Sequence, residues 1–294
     1  MDDDGNAAIR VSLRILALYL GLTFIPLLRW SAQRHALLPA LAHLVVLAVI
    51  VGLVPAVQQR LSPVRAWAPL ATGPFLYLEL RWLIPGFGQP HHDAIVSHWE
   101  ALVFPSDPSR TLAIQLHFTW LSEILHLCYV SYYALIYVPP ALLWLRGERV
   151  AFAQTVLALV IVYAVCFGIF VLFPVDGPRY VHGPASGPAG VIRSFVLQLL
   201  ERGSAQGTAF PSSHVAASVV AGICALRFDR GVGALVVLLT AGLTVGAVYG
   251  GFHYGVDAVA GLITGLLSAA LARAFESRLR SRATSSASSG VRAL

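Results

Sequence analysis

Residues 151–173 read AFAQTVLALVIVYAVCFGIFVLF, a stretch with no charged side chain. Roughly 20 apolar residues suffice to cross a bilayer core, so this run is long enough to span. Further apolar runs lie on both sides of it, near residues 9–28, 36–57, 64–84, 118–145, 212–227, 232–250 and 255–275. The run at 64–84 contains Pro69, Pro74, Glu79 and Arg81 and is expected to be broken or re-entrant. The expected fold is an all-α polytopic membrane bundle of about six to eight transmembrane helices. Composition agrees: 57% of residues are hydrophobic and 12% charged, with a mean hydropathy of +0.74. Globular domains carry roughly a quarter charged residues.

Two segments between the runs have amphipathic spacing and are expected to lie at the interface. In HDAIVSHWEALVF (92–104), Ile95, Trp99 and Leu102 recur at helical intervals, and in GVIRSFVLQLLERG (190–203) Val191, Ile192, Phe195, Val196 and Leu199 do the same. The expected organisation is an N-terminal two-helix segment (1–63), a catalytic membrane domain (64–276) and a disordered Ser/Arg-rich basic tail (277–294) able to meet anionic lipid. The acidic start MDDDGN has no small-residue cleavage site behind it, which reads as a retained first span.

All 20 basic residues are arginine, so lysine Schiff-base chemistry is excluded. The net charge of +6 is spread between apolar runs rather than gathered in a patch, so no nucleic-acid partner is expected. Cys128, Cys166 and Cys224 sit inside apolar runs without metal-ligand spacing and read as small core residues. His91, His92 and His98 lack the carboxylate or cysteine framework of a metal site, so no metal and no cofactor are expected.

If the last four runs all span, FPVDGPRY (173–180), FPSSH (210–214) and GGFHYGVD (250–257) share one side. The opposite side carries Arg146, Arg149, Arg227, Arg230 and the tail arginines, which makes it cytoplasmic by charge. The polar stretches then face the extracytoplasmic side of the cell's inner or plasma membrane. His253 and Asp257, four apart, fall on one helix face, where a carboxylate can orient an imidazole. The same spacing can equally fix a helix start. His214 stands at a helix N-terminus where Ser212 and Ser213 offer a cap or an anion cradle. Arg179 suits phosphate oxygens, or a lipid headgroup. Two histidines, an aspartate, an arginine and a helix N-terminus on one side make a phosphoryl-transfer set.

These motifs resemble, in order and spacing over roughly residues 150–275, those of the type-2 phosphatidic acid phosphatase superfamily, which also includes vanadium haloperoxidases. FPSSHVA is similar to its Pro-Ser-x-His motif, YGGFHYGVDAVAG to its His-x-x-x-Asp motif, and FPVDGPRY stands where its arginine-bearing motif belongs. The resemblance implies His253 as nucleophile through a phosphohistidine, Asp257 as its orienter and His214 as acid to the leaving group. Arg179, the Ser212 side chain and the Ser213 amide would hold the phosphoryl oxygens, without a metal. The family's lysine seven residues before the arginine is Leu172 here, the proline after it is Tyr180, and the arginine six before the last histidine is Ala247. Arg193, Arg202 and His182 are the candidate replacements.

The missing last arginine and the segment HDAIVSHWEALVFPSDPS also resemble the branch that includes inositol phosphorylceramide synthases, which move a phospho-headgroup from a phosphodiester lipid to an alcohol. Three functions follow as expectations: a lipid-phosphate phosphatase, a phosphotransferase of that type, or, in another class, a non-catalytic lipid transporter or binding protein. Expected partners are the lipid phosphate substrate and membrane lipids. Glu123, His126 and Tyr133 share a face of the 118–145 run and, with Tyr180, are candidates for headgroup contact; Glu123, His126 and Tyr133 can equally form a buried polar network.

Overall fold

The structure, a computed structural model, describes residues 2–56, 62–183 and 186–291. These form helices α1 (Asp2–Gln33), α2 (Leu37–Ala56), α3 (Pro63–Ala71), α4 (Gly73–Phe87), α5 (Asp93–Val103), α6 (Pro108–Gln115) and α7 (Thr119–Val130). There follow α8 (Tyr132–Leu145), α9 (Arg149–Leu172), α10 (Pro178–His182), α11 (Val191–Gly203), α12 (Ser213–Phe228), α13 (Arg230–Tyr249) and α14 (Gly255–Val291). Among the described residues the one departure from helix and loop is an isolated parallel bridge between Val175 and Thr208.

The uncharged run at 151–173 is the hub. Helix α9 is apolar all round, and such helices are buried on every side; Phe152, Val156, Leu159, Cys166 and Phe170 are all sealed. It touches α1, α4, α8, α12 and α14. Helix α1 lies against it through Ile9, Leu13, Leu16 and Leu20, so α1 and α9 share one hydrophobic interior. Helices α1, α2 and α4 are also joined by His43, whose Nδ1 lies 2.8 Å from Glu79 Oε1 and whose Nε2 lies 2.8 Å from the Leu20 carbonyl.

Helices α12 and α14 approach closely, because Gly261 and Gly265 leave no side chain between them. A Cβ on Gly261 would lie 2.6 Å from the Ser212 carbonyl oxygen, and one on Gly265 2.7 Å from that of Ala216. Small residues four apart are the usual device for such contact within a membrane.

Four helical stretches are long and apolar enough to cross a membrane: Asp4–Gln33, Arg149–Leu172, Arg230–Tyr249 and Gly255–Arg278. The pair α7 and α8, bent by 46° at Ser131, makes a fifth. The expected six to eight spans are therefore not reached by helices of spanning length among the described residues. Leu37–Leu53 and Ser213–Phe228 are apolar but shorter. The run at 64–84 is broken at Thr72 into α3 and α4, where Pro74 in the first turn of α4 cannot continue the preceding helix. Helix α14 is described as far as Val291 and so runs on into the basic stretch that begins at 277. Residues 292–294 lie outside the described residues.

Candidate active site

Three loops meet at one end of the bundle. The bridge at Val175 joins the first two: Val175 N–H donates to the Gly207 carbonyl at 3.3 Å, and Ala209 N–H to the Val175 carbonyl at 2.8 Å. The third joins the second through Ser212 N–H, which donates to the Asp257 carbonyl at 3.0 Å. The C-terminal ends of α9 and α13 and the N-terminal ends of α12 and α14 thus meet at one end of the bundle, as expected if all four runs cross.

At this junction a cavity of about 40 Å³ is lined by Arg179, Ser213, His214 and His253, with Tyr77, Tyr129, Tyr180 and Thr208 in its walls. The rings of His214 and His253 are 6.1 Å apart, centre to centre. His253 is buried, with Nδ1 3.0 Å from the Ala209 carbonyl oxygen. A carbonyl only accepts, so Nδ1 carries a proton, and in the neutral ring the lone pair is then on Nε2. Asp257 is the more distant partner, its Oδ2 lying 3.5 Å from Nδ1 while accepting the Tyr254 N–H at 2.8 Å. The orienting group nearest the imidazole is therefore a backbone carbonyl, with the carboxylate behind it.

His214 lies in the first turn of α12 between two phenols, its ring stacked on Tyr129 at 5.1 Å and tilted against Tyr132 at 4.2 Å. It also walls a second, larger cavity of about 260 Å³, lined mainly by apolar and aromatic side chains including Leu70, Ile136, Tyr137 and Phe167. Ser213 and Tyr77 are common to both cavities.

The other expected site residues divide. Tyr180 lines the small cavity, its hydroxyl 2.7 Å from Ser204 Oγ and its ring beneath the Arg179 guanidinium. Tyr133 lines the apolar cavity. Ser212 is fully buried and lines neither: it caps α12, its Oγ accepting from Val215 N–H at 3.4 Å. Glu123 also stands apart, its two carboxylate oxygens accepting the Ile192 and Arg193 amides at 2.9 and 3.0 Å and so capping α11. His126 lies 2.7 Å from the Ser122 carbonyl through Nδ1 and sets its ring edge-on to Tyr249 and Phe252. Both belong to the scaffold behind the cavity.

Of the candidate replacement cations, Arg202 is exposed and does not line the small cavity. His182 lines a separate polar cavity of about 450 Å³ with Asp107 and Arg110. Ala247 is sealed among Tyr129, Val196 and Phe252, so the position of the family's last arginine is filled by hydrocarbon.

Sequence reasoning missed two carboxylates of α5. Asp93 accepts the Asp176 and Gly177 amides, and Glu100 those of Gly255 and Val256. Burial raises the Glu100 carboxyl from its ordinary value, against the opposing pull of its two amide donors. His91, Asp93 and Asp176 bring ligand-type atoms within 4.8 Å of one another. Both Asp93 oxygens already hold amides, and Asp176 Oδ1 accepts from Gly207 N–H and lies 2.9 Å from His91 Nδ1. That donor set closes a loop and leaves little for a cation.

A family model described as the PAP2 superfamily matches residues 94–271. No curated protein and no solved structure matches the chain.

Proposed function

The chain belongs to the PAP2 superfamily, a group of phosphoester hydrolases and phosphotransferases, and from that premise we propose that it cleaves a lipid phosphoester through a phosphohistidine at His253. One observation carries this: a small cavity lined by His253, His214 and Arg179 shares the wall of His214 and Ser213 with a larger apolar cavity. Phosphate and lipid alcohol then lie on either side of the acid.

In the first step the Nε2 lone pair of His253 attacks phosphorus while the P–O bond to the lipid breaks. The departing oxygen takes a proton from His214, whose imidazolium the bound phosphate's negative charge favours against the opposing effect of burial, and leaves as an alcohol into the apolar cavity. Arg179 and the Ser213 amide balance charge on the phosphoryl oxygens. In the second step neutral His214 takes a proton from water, whose oxygen attacks phosphorus and breaks the P–N bond. Both histidines return to their starting states. The membrane-embedded bundle and the arginines at the far ends of α8, α9, α12 and α13 support an active site on the extracytoplasmic face.

A second reading is favoured by the single arginine lining the small cavity among the described residues. A phosphodiester carries one negative charge and needs one guanidinium, so a phosphodiester lipid as donor and an alcohol as acceptor would suit it. The deciding experiment incubates purified protein with labelled lipid phosphomonoester or phosphodiester, with and without lipid alcohols. Release of free phosphate or phospho-headgroup regardless of acceptor supports hydrolysis, and an acceptor-dependent new lipid supports transfer. No turnover of either class, at any acceptor concentration, would refute both.

A further inference from the structure

We propose that Asp93 and Glu100 are positioning residues, and that the interfacial helix α5 is the clasp that sets the phosphate-binding and nucleophile loops in register. They stand seven residues apart, two turns along one helix face and about 10 Å from each other along the axis. Asp93 takes the amides of Asp176 and Gly177 at 3.0 and 2.9 Å, the turn that leads directly into Arg179. Glu100 takes those of Gly255 and Val256 at 2.9 and 2.8 Å, the first turn of the helix that carries Asp257 and follows His253.

The contacts between these two ends belong to the same clasp. Val96, on the same face, is fully buried with Val175, Ala209, Tyr254 and Val256, residues of all three site loops. His92 N–H donates to the Pro174 carbonyl at 2.8 Å, and the His92 ring stacks on Phe173 at 4.2 Å. Ser97 Oγ donates to the Tyr254 hydroxyl at 3.1 Å. The other face leaves Ile95, Leu102 and Val103 exposed, where a membrane interface would cover them. Neither carboxylate lines the small cavity, so neither touches substrate. Each acts through a loop, and each through a different one.

That separation makes the proposal testable, and its catalytic half rests on the phosphohistidine reading above. In full-length protein, Glu100→Gln keeps shape but presents an N–H₂ to one amide, and Asp93→Asn does the same at the other loop. A misplacement of about 1 Å can cost about a hundredfold in rate. Glu100→Gln should therefore lower kcat by about ten- to a hundredfold, while KM and vanadate inhibition shift less than about threefold. Asp93→Asn should do the converse, weakening vanadate inhibition and raising KM by about tenfold with the smaller effect on kcat.

Amide hydrogen exchange supplies a readout independent of turnover. Exchange should accelerate at Gly255 and Val256 only in Glu100→Gln, and at Asp176 and Gly177 only in Asp93→Asn. If either variant fails to fold, Glu100→Asp and Asp93→Glu keep the charge and should show the same pattern, weaker. Parallel loss of every parameter in both variants, or unchanged exchange at the four amides, overturns the proposal. A wild-type protein that neither turns over lipid phosphoesters nor is occupied by vanadate refutes the functional reading instead, and the exchange pattern still decides the clasp.

Discussion

Replacing Gly261 by alanine adds one methyl group at the tightest point between α12 and α14. Its Cβ would sit 2.6 Å from the Ser212 carbonyl oxygen, 3.1 Å from Val215 Cβ and 3.2 Å from Ser212 Cβ, whereas ordinary contact begins near 3.4 Å. Relief takes a separation of about 0.8 Å, the difference between 3.4 and 2.6 Å. The atom that must yield is backbone, so no rotamer change absorbs it. The Ser212 N–H bond to the Asp257 carbonyl, now 3.0 Å, spans the same gap and would stretch beyond hydrogen-bonding range. His214 rides on one helix and His253 precedes the other, so their separation changes with it. Overpacking of this kind costs about 1–3 kcal/mol of stability, and a shift near 1 Å about a hundredfold in rate. The assay is turnover of the lipid phosphoester together with the thermal midpoint in detergent. Gly168→Ala is the control, since a Cβ there meets nothing within 4 Å. Activity within twofold of wild type for Gly261→Ala would refute the idea that this interface sets the site.

Four further outcomes are expected. His253→Ala should abolish turnover and any acid-labile phosphorylated intermediate while leaving the thermal midpoint within a few degrees; full retained activity removes His253 as nucleophile. His214→Gln should slow substrates with poor leaving groups most, so uniform loss across a leaving-group series would argue against its acid role. Ala247→Arg should fail to raise phosphomonoester activity and should destabilise the protein, because burying an unpaired charge among Tyr129, Val196 and Phe252 costs several kcal/mol; a stable variant with gained activity would contradict the filled position. Asp229 caps α13 through Val232 N–H and pairs with Arg146 at 2.7 Å, which together hold its carboxyl below the ordinary 3.8. Its contribution is therefore present above pH 3.8 and lost as pH falls through the lowered value, so wild type should lose stability on acidification more steeply than Asp229→Asn.

The membrane class and the meeting of the three polar loops were legible because both follow from arithmetic on the chain. Apolar run length points to the first, and the alternation of helix directions along the chain to the second. Of the expected residues, Ser212, Glu123 and His126 lie away from the small cavity, each held by backbone groups. Glu123 looks the same in sequence whether it binds a headgroup or caps α11 through Ile192 and Arg193. Asp93 and Glu100 were invisible for the same reason, since an amide donor has no side-chain identity to match against. The Ala209 carbonyl, nearer to His253 than Asp257 is, belongs to a loop whose course depends on the bridge at Val175. Helices of spanning length are fewer than the apolar runs because hydropathy registers apolar length and not the break at Thr72 or the shortness of α12.

Charge ties the site's departures from its family to the choice of substrate. The two cationic positions the family supplies are here Leu172, which is exposed at the end of α9, and Ala247, which is sealed. They differ physically: a long cationic side chain at 172 would have room, whereas one at 247 would have to displace two aromatic rings. The loss at 247 is therefore built into how α7, α11 and α13 meet, through Tyr129, Val196 and Phe252, and no side-chain swing can reverse it. A second phosphate charge left without a cation forgoes an attraction of roughly 4 kcal/mol at 4 Å in a protein-like dielectric. Even a fraction of that favours a singly charged ester by tenfold or more, since about 1.4 kcal/mol is a factor of ten. Under the proposed chemistry, the cavity that α7 helps to close against arginine is thus better suited to phosphodiesters than to monoesters, independently of whether water or an alcohol completes the reaction.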